Sequence, residues 1–107
     1  MTERHLVEVL SFEGCPNGDG ARRLVERVAR ELEIEPELRL VDVPDAEEAE
    51  RRRFLGSPTI RVNGRDIEPG ADDRTEFMLA CRVYLVGEAL VGQPDEEWLR
   101  AAFRRGS

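Results

Sequence analysis

The residue with the clearest chemical potential is Cys15, which follows the apolar run 6–12 and precedes a helix-like stretch. Its neighbours Gly14, Pro16 and Gly18 are typical of a tight exposed turn rather than of packed interior. Unpaired N–H groups and the dipole at the start of a helix favour negative charge, and therefore the reactive thiolate over the thiol. The pattern predicts a nucleophilic thiol at the carboxyl end of a central strand.

Other thiol and imidazole groups are few. Cys15 and Cys81 are the two cysteines, and His5 is the one histidine, so neither a tetrahedral zinc site, a histidine-based metal site nor a Cys-His pair is expected. No metal or cofactor is part of the expected site. His5 is predicted to lie at the surface or at a strand edge. Cys81 has two interpretations: it is a redox partner of Cys15, or a small buried hydrophobe among apolar neighbours.

Composition narrows the class of protein. The chain has 107 residues and a net charge of −7, which predicts one domain and argues against nucleic-acid binding. No apolar run has the roughly 18 residues that a membrane span requires, and the start of the chain lacks a signal-peptide pattern, so we expect a cytoplasmic protein. The basic run 51–53 follows several glutamates and is expected to be a solvated helix face.

Hydrophobic periodicity and turn signals predict the elements. Strands are expected at 6–12, 38–43, 59–62 and 65–68, the last two joined by a hairpin at Asn63-Gly64. A first helix is expected at 21–33. A second is expected from the cap Asp45 to about Leu55, with Gly56 as its left-handed exit. A third is expected from Pro94 onward, with Trp98, Leu99, Ala102 and Phe103 on one face. Residues 70–74 are expected to form an exposed loop, and the pattern at 77–86 fits a helix or a strand.

The order strand, helix, strand, helix, hairpin, helix predicts an α/β sandwich with a mixed sheet. A crossover makes the first two strands parallel, and the hairpin adds antiparallel ones. We expect a single domain over residues 1–107, with 69–93 as an insertion or irregular region before the last helix.

Three short segments together resemble a known superfamily. They are Phe-Glu-Gly-Cys-Pro-Asn at 12–17, Gly-Ser-Pro-Thr at 56–59 and Val-Asn-Gly-Arg at 62–65. In order and spacing they resemble the thioredoxin superfamily. With Cys-Arg-Val-Tyr at 81–84 the chain is similar to a group of small stand-alone bacterial thioredoxin-like proteins. The resemblance runs from about Leu6 to Phe103 and implies a thioredoxin-like three-layer sandwich.

The resemblance also implies a function and a site. It implies a thiol–disulfide oxidoreductase that acts on protein or small-molecule disulfides, with Cys15 as the attacking cysteine. Pro58 matches the cis-proline beside the sulfur, and the backbone of Ser57 is expected to pair with a bound substrate strand. Pro16 and Thr59 complete the expected substrate-binding set.

Gly18 departs from the redox motif, because the superfamily pattern has a second cysteine at that position. The mixed disulfide must then be resolved by an external thiol or by Cys81, and a Cys15–Cys81 disulfide needs Cα atoms within about 7 Å. Two other functions remain open. Two thiolates can bind a soft ion such as mercury or copper(I), and a redox-inactive domain can use its cis-proline face for protein contacts. Oligomeric state is left open.

Overall fold

A computed structural model describes residues 5–105, and its centre is a four-stranded mixed sheet. The strands are β1 (Leu6–Ser11), β2 (Glu37–Asp42), β3 (Thr59–Val62) and β4 (Arg65–Asp66), in the order β2–β1–β3–β4. β1 and β2 are parallel, and the other two pairs are antiparallel. This confirms the predicted mixed sheet, because a helical crossover joins β1 to β2 and a tight turn joins β3 to β4.

Three α-helices cover the sheet: α1 (Gly18–Glu31), α2 (Ala46–Arg51) and α3 (Glu96–Arg105). Alternate residues of β1 point to opposite faces, so Val7 and Val9 join a core cluster with α1 and α3. Leu10 joins a second cluster with Ala49 of α2 and with Phe54. The sheet therefore lies between α1 and α3 on one face and α2 on the other, which confirms an α/β sandwich.

The start of α2 follows its sequence signal, but its end does not. The Asp45 side chain accepts a hydrogen bond from the Glu48 N–H at 2.8 Å, as the capping pattern predicts. The helix ends at Arg51 rather than near Leu55, and the left-handed residue is Arg53 at φ 56°. The prediction that Gly56 ends the helix in the left-handed conformation is thus wrong. The chain turns at Arg53, and Phe54 then packs in the second core cluster.

The predicted hairpin at Asn63-Gly64 is confirmed. Both residues have positive φ, 52° and 86°, as a two-residue connection of twisted strands requires. β4 is shorter than predicted and ends at Asp66.

Residues 69–93 contain a second, smaller hairpin that the sequence did not predict. After a single 3₁₀ turn (Ala71–Asp73), β5 (Tyr84–Val86) and β6 (Ala89–Val91) pair with each other and not with the central sheet. The undecided stretch 77–86 therefore ends as a strand and is otherwise irregular. Ala71, in the predicted exposed loop, is buried.

His5 does not lie at the surface, so that prediction is wrong. It is 8% exposed, its ring Nε2 is 3.1 Å from the Phe103 carbonyl oxygen, and the two rings meet edge to face. The cause is α3, which covers the start of β1. Residues 1–4, on which the expectation of an absent signal peptide rests, lie outside the described part. Among residues 5–105, no helix is long and apolar enough to cross a membrane.

Candidate functional site

Cys15 lies in the turn that connects β1 to α1. Its N–H donates to the Phe12 carbonyl oxygen at 3.1 Å, and Gly14 takes a positive φ of 90° to make this turn. The residue is half-buried, between the exposed residues Gly14 and Pro16. The helix begins at Gly18, after the Cys15-Pro16-Asn17 turn, so Pro16 is a turn residue that precedes the helix.

The acidic residue nearest to the start of α1 is neutralised by arginines one turn along. Asp19 pairs with Arg22 at 2.7 Å and with Arg23 at 2.9 Å. The hydrogen bond from Arg22, with its charge, holds the pKa of Asp19 below its usual range. The carboxylate therefore stays charged, and its field at the Cys15 turn is offset by two exposed guanidinium groups.

The Ser57–Pro58 bond is cis, and it lies at the same end of the sheet as the Cys15 turn. The register pairs Leu10, near the end of β1, with Thr59, at the start of β3. Ser57, Pro58 and Thr59 are all fully buried, and the Thr59 hydroxyl donates to the Gly56 carbonyl at 2.6 Å. Three of the predicted substrate-binding residues, Ser57, Pro58 and Thr59, thus form a buried loop around the cis bond, which we call the cis-proline loop, whereas Pro16 is exposed.

The chain itself already pairs with the backbone of Ser57. The Ser57 N–H donates to the Ala80 carbonyl at 2.8 Å, and the Ser57 carbonyl accepts from the Arg82 N–H at 2.8 Å. This is a parallel bridge between Ser57 and Cys81. Residues 80–82 therefore occupy the backbone groups that the sequence analysis assigned to a substrate strand.

Arg82 fixes this segment through a buried polar cluster. Its guanidinium donates to the Thr59 hydroxyl at 2.9 Å, to Asp66 at 2.7 Å and to Glu68 at 2.6 Å. The Arg82 and Asp66 side chains are only 1% and 6% exposed. Burial alone lowers the pKa of Arg82, but the hydrogen bonds to the two carboxylates outweigh it and raise the pKa. Ion pairs removed from water in this way are costly to break.

Tyr84 is the second anchor of the segment. Its hydroxyl donates to the Pro58 carbonyl at 2.6 Å, and the Arg82 guanidinium lies 4.5 Å from the centre of its ring. Burial raises the pKa of Tyr84 well above its usual value, so the phenol keeps the proton that it donates. Gly56 lets the segment approach, since a Cβ there would lie 2.9 Å from the Arg82 Cβ.

Burial alternates along residues 81–85 because the chain is extended there. Arg82 and Tyr84 point inward, whereas Cys81, Val83 and Leu85 are exposed. The interpretation of Cys81 as a buried hydrophobe is therefore wrong.

The two cysteines are not brought together. Both are free, they do not lie near each other, and they form no disulfide. Within residues 5–105 there is also no group of three or more His, Cys, Asp or Glu side chains that could bind a metal ion. Neither thiol therefore has a preformed partner for resolution or for metal binding.

No protein-family model, no curated protein and no solved structure matches the chain.

The residues that hold residues 80–82 against the cis-proline loop, chiefly Arg82, Tyr84 and Asp66, were not predicted from the sequence. One signal was present. Asp66 and Glu68 are two residues apart at the end of a predicted strand, so both carboxylates point to one face and require a cation there.

Proposed function

We propose that the protein is a thioredoxin-like domain that carries out thiol–disulfide exchange through Cys15 as its single nucleophile. The observation that supports this proposal is the half-exposed Cys15, in the turn after β1, at the same end of the sheet as the cis Ser57–Pro58 bond. The nucleophile in disulfide exchange is a cysteine thiolate, and it must be accessible to the disulfide.

The exchange has two steps. The Cys15 thiolate attacks one sulfur of a disulfide RS–SR′, which forms a Cys15–SR mixed disulfide and releases R′S⁻. Because Cys81 is not near Cys15, a second low-molecular-weight thiolate R″S⁻ attacks the R sulfur. The products are RS–SR″ and the regenerated Cys15 thiolate, so bonds and charges balance.

The occupied backbone of Ser57 favours small disulfides over extended polypeptides as substrates. A polypeptide substrate would need the Ser57 N–H and C=O for strand pairing, but Ala80 and Arg82 already bind both groups. Displacing them would expose the buried pair of Arg82 and Asp66. A small disulfide needs only the exposed side of the Cys15 turn.

The soft-metal alternative has less support. A linear two-thiolate site requires both sulfurs on one ion, and Cys15 and Cys81 do not lie near each other. The interaction-scaffold alternative also has less support, because it uses the cis-proline face for protein contacts and residues 57–59 are buried.

The test compares wild type with Cys15→Ser and Cys81→Ser, using 2-hydroxyethyl disulfide and glutathione as the small disulfide and the resolving thiol. We expect Cys15→Ser to fall to the uncatalysed rate, Cys81→Ser to retain wild-type turnover, and mass spectrometry to find the mixed disulfide on Cys15. A disulfide-bonded peptide of ten residues serves as the second substrate, with a lower rate expected.

Three outcomes would contradict the proposal. Full activity of Cys15→Ser would remove Cys15 as the nucleophile. Loss of turnover in Cys81→Ser, with the Cys15 mixed disulfide accumulating, would assign resolution to Cys81. An inactive wild type whose two thiols react normally with iodoacetamide would leave the scaffold function.

A further inference from the structure

A small cleft near the end of α2 is lined by more cations than anions. Its volume is about 110 Å³. The charged side chains that line it are Arg52, Arg53, Arg61, Arg74, Asp66 and Asp72. The chain as a whole has a net charge of −7, whereas the side chains that line this cleft have a net positive charge.

Arg61 is the central cation of this cleft. It is half-buried on β3, and no carboxylate of residues 5–105 lies within ion-pair distance of it. Its Nη2 donates to the carbonyl oxygens of Arg52 and Arg53 at 2.6 and 3.0 Å. Its Nε and Nη1 have no hydrogen-bond partner in the described part of the chain.

Burial of Arg61 has an electrostatic cost that its neighbours do not remove. Burial lowers the pKa of Arg61. The carboxylates of Asp66 and Glu8, which lie opposite Arg61 on the two neighbouring strands, raise it but do not outweigh burial, and the charges of Arg82 and Arg52 lower it again. Charges removed from water are normally paired. A guanidinium with free donors in a cleft is therefore suited to a further anion.

The two aspartates of the cleft are engaged by other arginines. Asp66 accepts hydrogen bonds from the buried Arg82, and an Asp72 oxygen lies 3.5 Å from the Arg65 Nε. Their charges are thereby offset. Arg74 is paired with Glu68 and Arg52 with Glu48.

Arg53 supplies the second available cation. Its guanidinium lies 4.9 Å from the centre of the Phe77 ring, and no carboxylate of residues 5–105 forms an ion pair with it. Stacking on the ring restricts the side chain beside the cleft. Arginine donors bind the oxygens of phosphate in a fork-like geometry.

We propose that this cleft binds a phosphate group, free or esterified, through the guanidinium groups of Arg53 and Arg61. The volume of the cleft admits one such group. This site is separate from Cys15 and does not depend on the exchange chemistry.

The test is a titration of the ¹⁵N-labelled protein with inorganic phosphate, with chloride at matched ionic strength as the reference. We expect saturable shifts confined to the amide signals of 52–53, 61–66 and 74–77. Arg61→Gln and Arg53→Gln should each weaken binding at least about tenfold, because each removes charge-assisted hydrogen bonds. Arg39→Gln is the matched control, since Arg39 lies on exposed β2 and pairs with Glu37, and it should bind as wild type does.

Methyl phosphate and acetate distinguish the ligand sources. Tighter binding of methyl phosphate than of inorganic phosphate indicates an ester as the ligand, and the reverse indicates the free ion. Equal binding of acetate would overturn the assignment to phosphate, as would non-saturating shifts or equal weakening by Arg39→Gln. If Arg61→Gln does not fold, the exposed Arg53→Gln decides the question.

Discussion

The substitution Asp66→Asn should destabilise the protein strongly, although it changes few atoms. Asp66 accepts two hydrogen bonds from Arg82, at 2.7 and 3.3 Å, and both side chains are almost fully buried. The amide removes the negative charge and can turn N–H donors toward a guanidinium that itself only donates. Arg82 would keep one carboxylate partner, Glu68 at 2.6 Å.

The magnitude follows from the burial. Removing one partner of a buried ion pair costs about 3–5 kcal/mol, and the remaining Glu68 places the expected loss at the lower end, about 3 kcal/mol. With a urea slope of about 2 kcal/mol/M, that loss lowers the denaturation midpoint by about 1.5 M. Since the free energy of unfolding of small domains is about 5–15 kcal/mol, the variant should still fold, but with a much smaller free energy of unfolding than wild type.

The assay is urea unfolding followed by fluorescence of Trp98, which is the one tryptophan and whose ring centre lies 6.1 Å from that of Tyr84. Asp72→Asn is the matched control, because Asp72 is exposed and lies 3.5 Å from its arginine. Its expected cost is no more than about 0.5 kcal/mol. Equal midpoints for the two variants would refute the assignment of the Arg82–Asp66 pair as a stabilising anchor. Faster exchange of the Arg82 and Ser57 amide protons in Asp66→Asn would show that the segment is released.

Two further predictions concern the same segment. Gly56→Ala should lower the free energy of unfolding in urea by at least about 2 kcal/mol more than Gly87→Ala does. Both glycines have positive φ, but only at position 56 would the new Cβ meet Arg82, at 2.9 Å. Equal losses of free energy would mean that the close approach of Arg82 does not constrain position 56. Tyr84 should not ionise in the folded protein between about pH 10 and 11, since burial raises its pKa. The unfolded chain ionises there, so the free energy of unfolding should fall as pH rises above about 10; a native tyrosinate absorbance band near pH 10 would contradict this.

The central sheet was predictable because its local signals agree with its tertiary environment. The apolar run of β1 is buried, Asp45 caps α2, and Asn63-Gly64 turns the chain with both φ values positive. The end of α2 was not predictable from helical pattern, because the need to bury Phe54 stops the helix early. His5 was mispredicted because its burial depends on α3, which is remote in sequence.

The segment that leads into the small hairpin was missed for a different physical reason: its polarity pattern is inverted. Along 81–85 the charged Arg82 and the hydroxyl-bearing Tyr84 are buried, while the apolar Val83 and Leu85 are exposed. Because apolar residues are usually buried, the sequence pattern predicts that Val83 and Leu85 face the core, which is the opposite of the observed orientation. Arg82 is buried only because Asp66 and Glu68 supply opposite charge from another strand and its extension, and a partner so distant in sequence is invisible to local periodicity.

This inversion also separates the two roles within Cys-Arg-Val-Tyr. The buried positions, Arg82 and Tyr84, bind the cis-proline loop through Thr59 and the Pro58 carbonyl, and the bridge at Cys81 occupies Ser57. Because burial alternates along this segment, the residues next to the buried Arg82, which are Cys81 and Val83, are turned to solvent. The segment that pairs with the Ser57 backbone thus leaves Cys81 exposed and apart from Cys15. This separation is the reason why the proposed exchange at Cys15 uses an external thiol and not Cys81.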